Sequence, residues 1–181
     1  MNVLPPHWET QNVIIQDSVL DEVGQLRNVF NACSYVGKWD KTFTVESEDA
    51  FVQMVSKSQS RAENLKESFQ MQSMRSRERP EIIGYFHLSY GVSKPAIAVI
   101  SMLVIHPDYQ KRHLGSEVVG GLTEQLKQLG DYTSIWLQVY LKNWPALRFW
   151  ISAGFTTIVE YRGDKIHTEE TQASLILEKR L

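Results

Sequence analysis

Residues 103–116 of this chain run Leu103-Val104-Ile105-His106-Pro107-Asp108-Tyr109-Gln110-Lys111-Arg112-His113-Leu114-Gly115-Ser116. An apolar stretch meets a proline, two cations follow, and small residues open the next apolar pattern. Proline cannot donate to a strand ladder, so the stretch before it reads as a strand that ends there. The chain then turns and enters a helix near His113. The first turn of a helix leaves several backbone N–H groups without acceptors, and its dipole attracts anions. Gly115 and Ser116 leave room for a diphosphate to approach that backbone closely, and Lys111 and Arg112 add positive charge beside it. The chemistry open to these residues is phosphate or pyrophosphate binding. Taken alone, they also fit an ordinary turn into a helix.

Other chemistries lack their residues. Cys33 is the single cysteine and has no nucleophile context. The five histidines, at 7, 87, 106, 113 and 167, show no metal-ligand spacing, so no metal is expected. No Walker or Rossmann fingerprint is present.

The turn must be held by a core, and the composition supplies one. The 181 residues are 43% hydrophobic, which suits a single domain with its own interior. Nineteen basic and 21 acidic residues leave a net charge of −2. That balance speaks against a general nucleic-acid or membrane-surface partner. A lone thiol fits a reducing compartment. The first nine residues carry no leader pattern, and the longest uncharged run, 96–105, is about half of what a bilayer requires. A soluble, cytoplasmic protein is the expectation.

Along the chain, 12–16 reads as a first strand. Val19, Val23, Leu26, Val29 and Phe30 follow at helical spacing, with Ser18 as the N-cap. Ser47 caps a second helix carrying Phe51, Val52 and Val55. The polar stretch 56–80 reads as a surface helix fraying into a basic loop with Arg75, Arg77 and Arg79. These arginines suit a solvated loop or a contact to phosphate or an acidic substrate. Segments 82–90 and 96–105 are strands joined by a hairpin, the second covered on both faces. A helix from Leu114 ends at Gly130, and 134–140 is a strand. Asn143 caps a short helix with Pro145 in its first turn. Strands at 155–160 and 173–178 close the chain.

The segment around 110–115 resembles motif A of the GNAT superfamily of N-acetyltransferases, where the turn reads Gln/Arg-x-x-Gly-x-Gly/Ala. Gln110 and Gly115 match, and His113 stands at the usual first glycine. Residues 143–155 resemble the family's second signature, with Asn143, Ala146, the bulky pair Phe149-Trp150 and Gly154-Phe155. The resemblance spans 82–181. It implies a single α/β domain over 1–181, a mixed, splayed central sheet of six to seven strands flanked by helices, with an acetyl-CoA-binding core at about 82–160.

The resemblance also implies roles. Acetyl-CoA is the implied cosubstrate. Its pantetheine arm pairs with free backbone groups of Leu103, Val104 and Ile105 in a wedge beside strand 135–140, and its pyrophosphate sits on amides from Gln110 through Lys111, Arg112, His113, Leu114 and Gly115 to Ser116. Asn143 contacts the arm, caps its helix, or does both. His113 accommodates the ligand provided its backbone is helical. Trp150 occupies the position of the family's frequent acid, a tyrosine, and indole is too weak an acid for that task. Tyr140 is then the nearest candidate acid, unless the thiolate leaves unaided. His87, Glu81 and His106 are candidate bases for the acceptor amine. A backbone N–H near Val104 or Ile105 would polarise the thioester carbonyl. Tyr35, Trp39 and Phe43 form an aromatic wall for the acceptor or pack in the core. The implied acceptor is a primary amine on a small molecule or peptide, and a homodimer is compatible with the pattern. Two other readings remain open: a CoA-binding domain without transferase activity, and a nucleotide-phosphate binder of another α/β fold.

Overall fold

A computed structural model describes residues 2–41, 43–60, 68–166 and 168–181. Strand β1 spans His7–Glu9 and β2 Val13–Asp17; helices α1 and α2 span Val23–Ala32 and Glu48–Gln59. Three strands follow, β3 (Ser68–Ser76), β4 (Ile82–Tyr90) and β5 (Ile97–Ile105). Helix α3 (Leu114–Leu129) leads to β6 (Ser134–Tyr140), and α4 (Trp144–Ser152) to β7 (Thr157–Gly163) and β8 (Ala173–Arg180). The strands form one mixed sheet in the order β1-β2-β3-β4-β5-β6-β8-β7. Every pair is antiparallel except β5–β6. A parallel pair needs a crossover of a dozen or more residues, and α3 supplies it.

Side-chain alternation divides the interior into two clusters. Val118, Val119, Leu122 and Leu126 of α3 and Leu147 and Trp150 of α4 pack on one face of the sheet. Leu26, Phe30, Phe51 and Val55 of α1 and α2 pack on the other, against Met71, Tyr85 and Val104. On β6, Ile135, Leu137 and Val139 belong to the α3/α4 cluster. Trp136, Gln138 and Tyr140 therefore project to the opposite face.

The caps behave as their residue types require. The Ser47 hydroxyl accepts from the Ala50 N–H at 3.2 Å. Gly130 ends α3 in the left-handed region at φ +72°, where a side chain would be strained.

Four readings of the sequence change. The sheet has eight strands against the six to seven expected, because β1 and β3 join the six segments read along the chain. The stretch 56–80 holds the end of α2 and then β3, in place of a fraying helix; residues 61–67 lie outside the described residues, as does His167. Ser18 does not cap α1. A 3-10 turn, Leu20–Glu22, comes first, and the Glu22 carboxylate accepts from the Val19 N–H. Strand β5 is not covered along its whole length, since Ser101 is exposed.

β3 escapes a reading by periodicity because polar side chains are buried in it beside Met71 and Met74. Gln70, Gln72 and Ser73 are all fully buried. Gln70 Nε2 donates to the Leu4 carbonyl and to Asp17, Gln72 Nε2 donates to the Pro5 carbonyl and to Asp17, and Gln72 Oε1 accepts from the Trp8 indole at 2.8 Å. The N-terminal segment thus satisfies amides that would otherwise forbid burial. The three arginines are paired as well. Arg75 meets buried Glu22 at 2.6 Å, Arg77 meets Glu9, and Arg79 lies 3.8 Å from Glu81.

Candidate active site

The sheet splits beside β5. Residues Ile97 to Ile100 pair with Ser134 to Leu137, and there the β5–β6 ladder stops. β5 continues alongside β4 to Ile105, while β6 continues alongside β8 to Tyr140. The divergence starts at an irregularity: His87 pairs with Met102 and Leu88 with Ile100, so Ser101 is an extra residue in the β5 strand. A bulge bends the strand that carries it and turns its edge away from its neighbour. The Ser101 hydroxyl lies 3.1 Å from that of Ser89. No sequence pattern signals this bulge, since serine is an ordinary strand residue.

Backbone alternation decides which groups face the opening. The His106 N–H donates to the Ile83 carbonyl at 2.8 Å, which fixes the phase of the β4–β5 ladder. The polar groups of Val104 then turn toward β4, and those of Leu103 and Ile105 turn toward the open edge. The Ile105 carbonyl is already occupied, by Gln110 Nε2 at 2.8 Å and the Cys33 thiol at 3.3 Å. What remains for a ligand is both groups of Leu103 and the Ile105 N–H. Val104 is buried in the α1/α2 cluster.

At the mouth of the opening lies the N-terminus of α3. His113 is its N-cap residue and makes no side-chain capping bond. The Glu117 N–H reaches the His113 carbonyl, which leaves Leu114, Gly115 and Ser116 as the amides before the helical ladder begins. Lys111 and His113 are both left-handed, at φ +60° and +62°. The condition set for His113, a helical backbone, is therefore not met. The turn needs positive φ there, which is why glycine suits the position and why a histidine, among the more tolerant side chains, can still occupy it. Gln110 holds the turn from beneath. Its N–H donates to the Pro107 carbonyl, and its Oε1 accepts from the Tyr35 hydroxyl at 2.9 Å. The Arg112 guanidinium sits over the Tyr109 ring, 5.3 Å from its centroid, and Lys111 is exposed.

Gly115 is small for a different reason from the one its sequence position suggests. A Cβ there would lie 3.2 Å from the Phe149 ring and 3.4 Å from Ile105 Cδ1, so its missing side chain makes room for α4 and β5. Asn143 caps α4, accepting from the Ala146 N–H at 3.3 Å.

The catalytic candidates are not brought together. Tyr140 pairs with Ser174 and projects to the face opposite α4, on the far side of the split. His87 lies on that same face but deep under the α1/α2 layer, between Phe69 and Tyr85 at ring distances of 5.1 and 5.2 Å. Its Nε2 has no partner among the described residues, and burial pulls its pKa down to about 3. Such an imidazole is neutral and a poor proton acceptor at neutral pH. Glu81 and His106 instead line a separate cavity of about 320 Å³ with Arg79, Tyr109 and Arg112. There Glu81 accepts from the Tyr109 hydroxyl, a hydrogen bond that raises the phenol's pKa. Burial likewise pushes the Cys33 thiol up to about 11, so it is no thiolate nucleophile. Trp150 is a core residue, packed on Phe149 and Phe155 at 4.8 and 5.2 Å. Phe43 stacks on Phe30 at 4.2 Å and belongs to the core, whereas Tyr35 and Trp39 meet edge to face at 6.2 Å beside the turn.

Structures of the same shape include an acetyltransferase from Thermus thermophilus, 18% identical, covering 96% of this chain and 100% of that one at a TM-score of 0.68. The PaiA N-acetyltransferase of Thermoplasma acidophilum, in complex with coenzyme A, is 16% identical, covers 93% and 99%, and has a TM-score of 0.63. The microcin C7 self-immunity acetyltransferase MccE, in complex with acetyl-CoA and AMP, is 13% identical, covers 94% and 93%, and has a TM-score of 0.71. No curated protein sequence matches. At these identities the likeness is one of fold. The sequence profile of the acetyltransferase (GNAT) family, however, matches residues 34–155, a span that includes the bulge, the split, the uncapped turn and Asn143. The chain belongs to the acetyltransferase (GNAT) family.

Proposed function

We propose that this chain transfers an acetyl group from acetyl-CoA to a primary amine by direct attack in a ternary complex. The observation that carries the reading is the parting of β5 from β6 after Ile100, with the uncapped first turn of α3 at its mouth. A slot with a free strand edge suits an amide-bearing arm, and unpaired helix amides suit a diphosphate. Leu103 and the Ile105 N–H would bind the arm. The amides of Lys111 to Ser116 would bind the diphosphate, with the side chains of Lys111 and Arg112 near its charge. Asn143, fixed at the head of α4, would orient the arm.

The amine nitrogen attacks the thioester carbonyl carbon, the C–S bond breaks, and the amine's proton goes to solvent or to a water held at the site. Positioning supplies much of the rate, since two reactants held in one slot need no covalent acetyl-enzyme. A backbone N–H of the open edge, at Leu103 or Ile105, would polarise the carbonyl as charge develops on its oxygen. His87 is too weakly basic for the proton, and Glu81 is engaged by Tyr109 and Arg79.

The test is release of free thiol from acetyl-CoA across a panel of amines: polyamines, amino acids, aminoglycosides and peptides. Amine-dependent release of thiol together with an acetylated product is the expected outcome. Tight CoA binding without turnover on any amine would favour a binding domain instead.

A further inference from the structure

The two outer edges of the sheet are built differently. β1 is three residues long, its Trp8 is buried, and Glu9 is paired with Arg77. β7 is seven residues long and exposed at every position, with Ile158 at 46% and Tyr161 at 72% of full accessibility. Its outer edge has no strand partner among the described residues, which leaves a row of backbone donors and acceptors open to another chain.

The side chains of β7 are sorted by face. Ile158 pairs with Leu177 and Tyr161 with Leu175, and both leucines belong to the core beneath α4. Directly paired residues share a face, so Ile158 and Tyr161 project to the α4 side, where Trp144 and Ile151 of α4 are also exposed. Glu160 pairs with Ile176 and Arg162 with Ser174, which puts the two charges together on the opposite face, 2.8 Å apart. One edge thus carries an apolar row on one side and a charge pair on the other.

We propose that two copies of this chain associate through β7, edge to edge and antiparallel, about a two-fold axis at Tyr161. The charge pattern selects this partner and this register. In an antiparallel pair centred on Tyr161, residue 160 of each copy stands opposite residue 162 of the other. Glu160 then meets Arg162 of the second copy, and Arg162 meets its Glu160, closing a ring of four alternating charges. A two-fold interface must be complementary to itself, and this row is. On the other face the two Tyr161 rings meet at the axis, flanked by Ile158. The ladder supplies direction and the apolar face supplies area.

Sedimentation equilibrium of the full chain tests the proposal. The expected species has twice the chain mass of 20.9 kDa. Glu160→Arg places four like charges in the ring and should weaken association at least tenfold, and Arg162→Glu should do the same. The double variant Glu160→Arg/Arg162→Glu restores alternation and should restore the dimer, with circular dichroism unchanged throughout. A wild type that stays monomeric overturns the proposal, and so does a dimer indifferent to all three variants. Failure of the double variant to recover overturns the pairing about Tyr161.

Discussion

His113 shows what a side chain costs where the turn demands left-handed backbone. At φ +62° its Cβ crowds the neighbouring carbonyl, a conformation that glycine adopts freely. His113→Gly should raise unfolding stability by about 0.5–1 kcal/mol, less than the full strain because glycine also loosens the unfolded chain. Denaturant melts measure it; a loss of stability would mean that the imidazole makes contacts that outweigh the strain. His87 gives a pH signature. Its folded pKa of about 3 lies below the ordinary 6.5, so the unfolded chain binds a proton that the folded chain refuses. Its contribution is intact above pH 6.5 and falls as pH drops from there toward 3, with roughly 2 kcal/mol gone by pH 5 at 1.36 kcal/mol per unit. His87→Phe should flatten stability between pH 7 and 5, and an unchanged slope would show that the imidazole is not responsible. For Tyr140 the expected result is small: kcat of Tyr140→Phe stays within about threefold of wild type, because a CoA thiolate is a tolerable leaving group. A fall of about a hundredfold, the low end for general acid catalysis, would make Tyr140 the acid.

At the scale of elements, α4 tests how the site is held. Its Trp150 is 8% exposed and wedged between Phe149 and Phe155, and Phe149 in turn fills the space that Gly115 leaves at the head of α3. Trp150→Ala should cost about 3–5 kcal/mol by calorimetric or denaturant melting. A midpoint near wild type would remove α4 from the set of elements that hold the turn. The same elements show where the sequence is legible. α3, β4, β6 and α4 follow apolar periodicity, Gly130 ends α3 and Asn143 caps α4, so their bounds can be read from neighbours in the chain. β3 cannot be read in that way. Gln70 and Gln72 are satisfied largely by Leu4, Pro5, Trp8 and Asp17, more than fifty residues away, and no local pattern shows that these amides are satisfied. The bulge at Ser101 escapes for a related reason, because it is a mismatch between two strands and not a property of either. Within the site, the basic turn and Asn143 are visible from residue types. The positive φ at His113 and the packing role of Gly115 depend on tertiary contacts.

On the scale of the whole molecule, the fold is a continuous sheet that is cut once. Helices α1 and α2 secure β3, β4 and the end of β5; α3 and α4 secure the opposite face. Between the two halves the free edge of β5 and the amides of α3 lead from the bulge to the surface. The central claim is that coenzyme A binds along that line. The most direct measurement is the amide resonances of the full chain, followed as coenzyme A is added. Leu103, Ile105 and Lys111 to Ser116 should shift together and exchange more slowly with solvent, while Val104, bonded toward β4, and Glu81 in its separate cavity stay nearly constant. Shifts centred on Glu81, Tyr109 and Arg79, with the amides of Lys111 to Ser116 unmoved, would contradict the account.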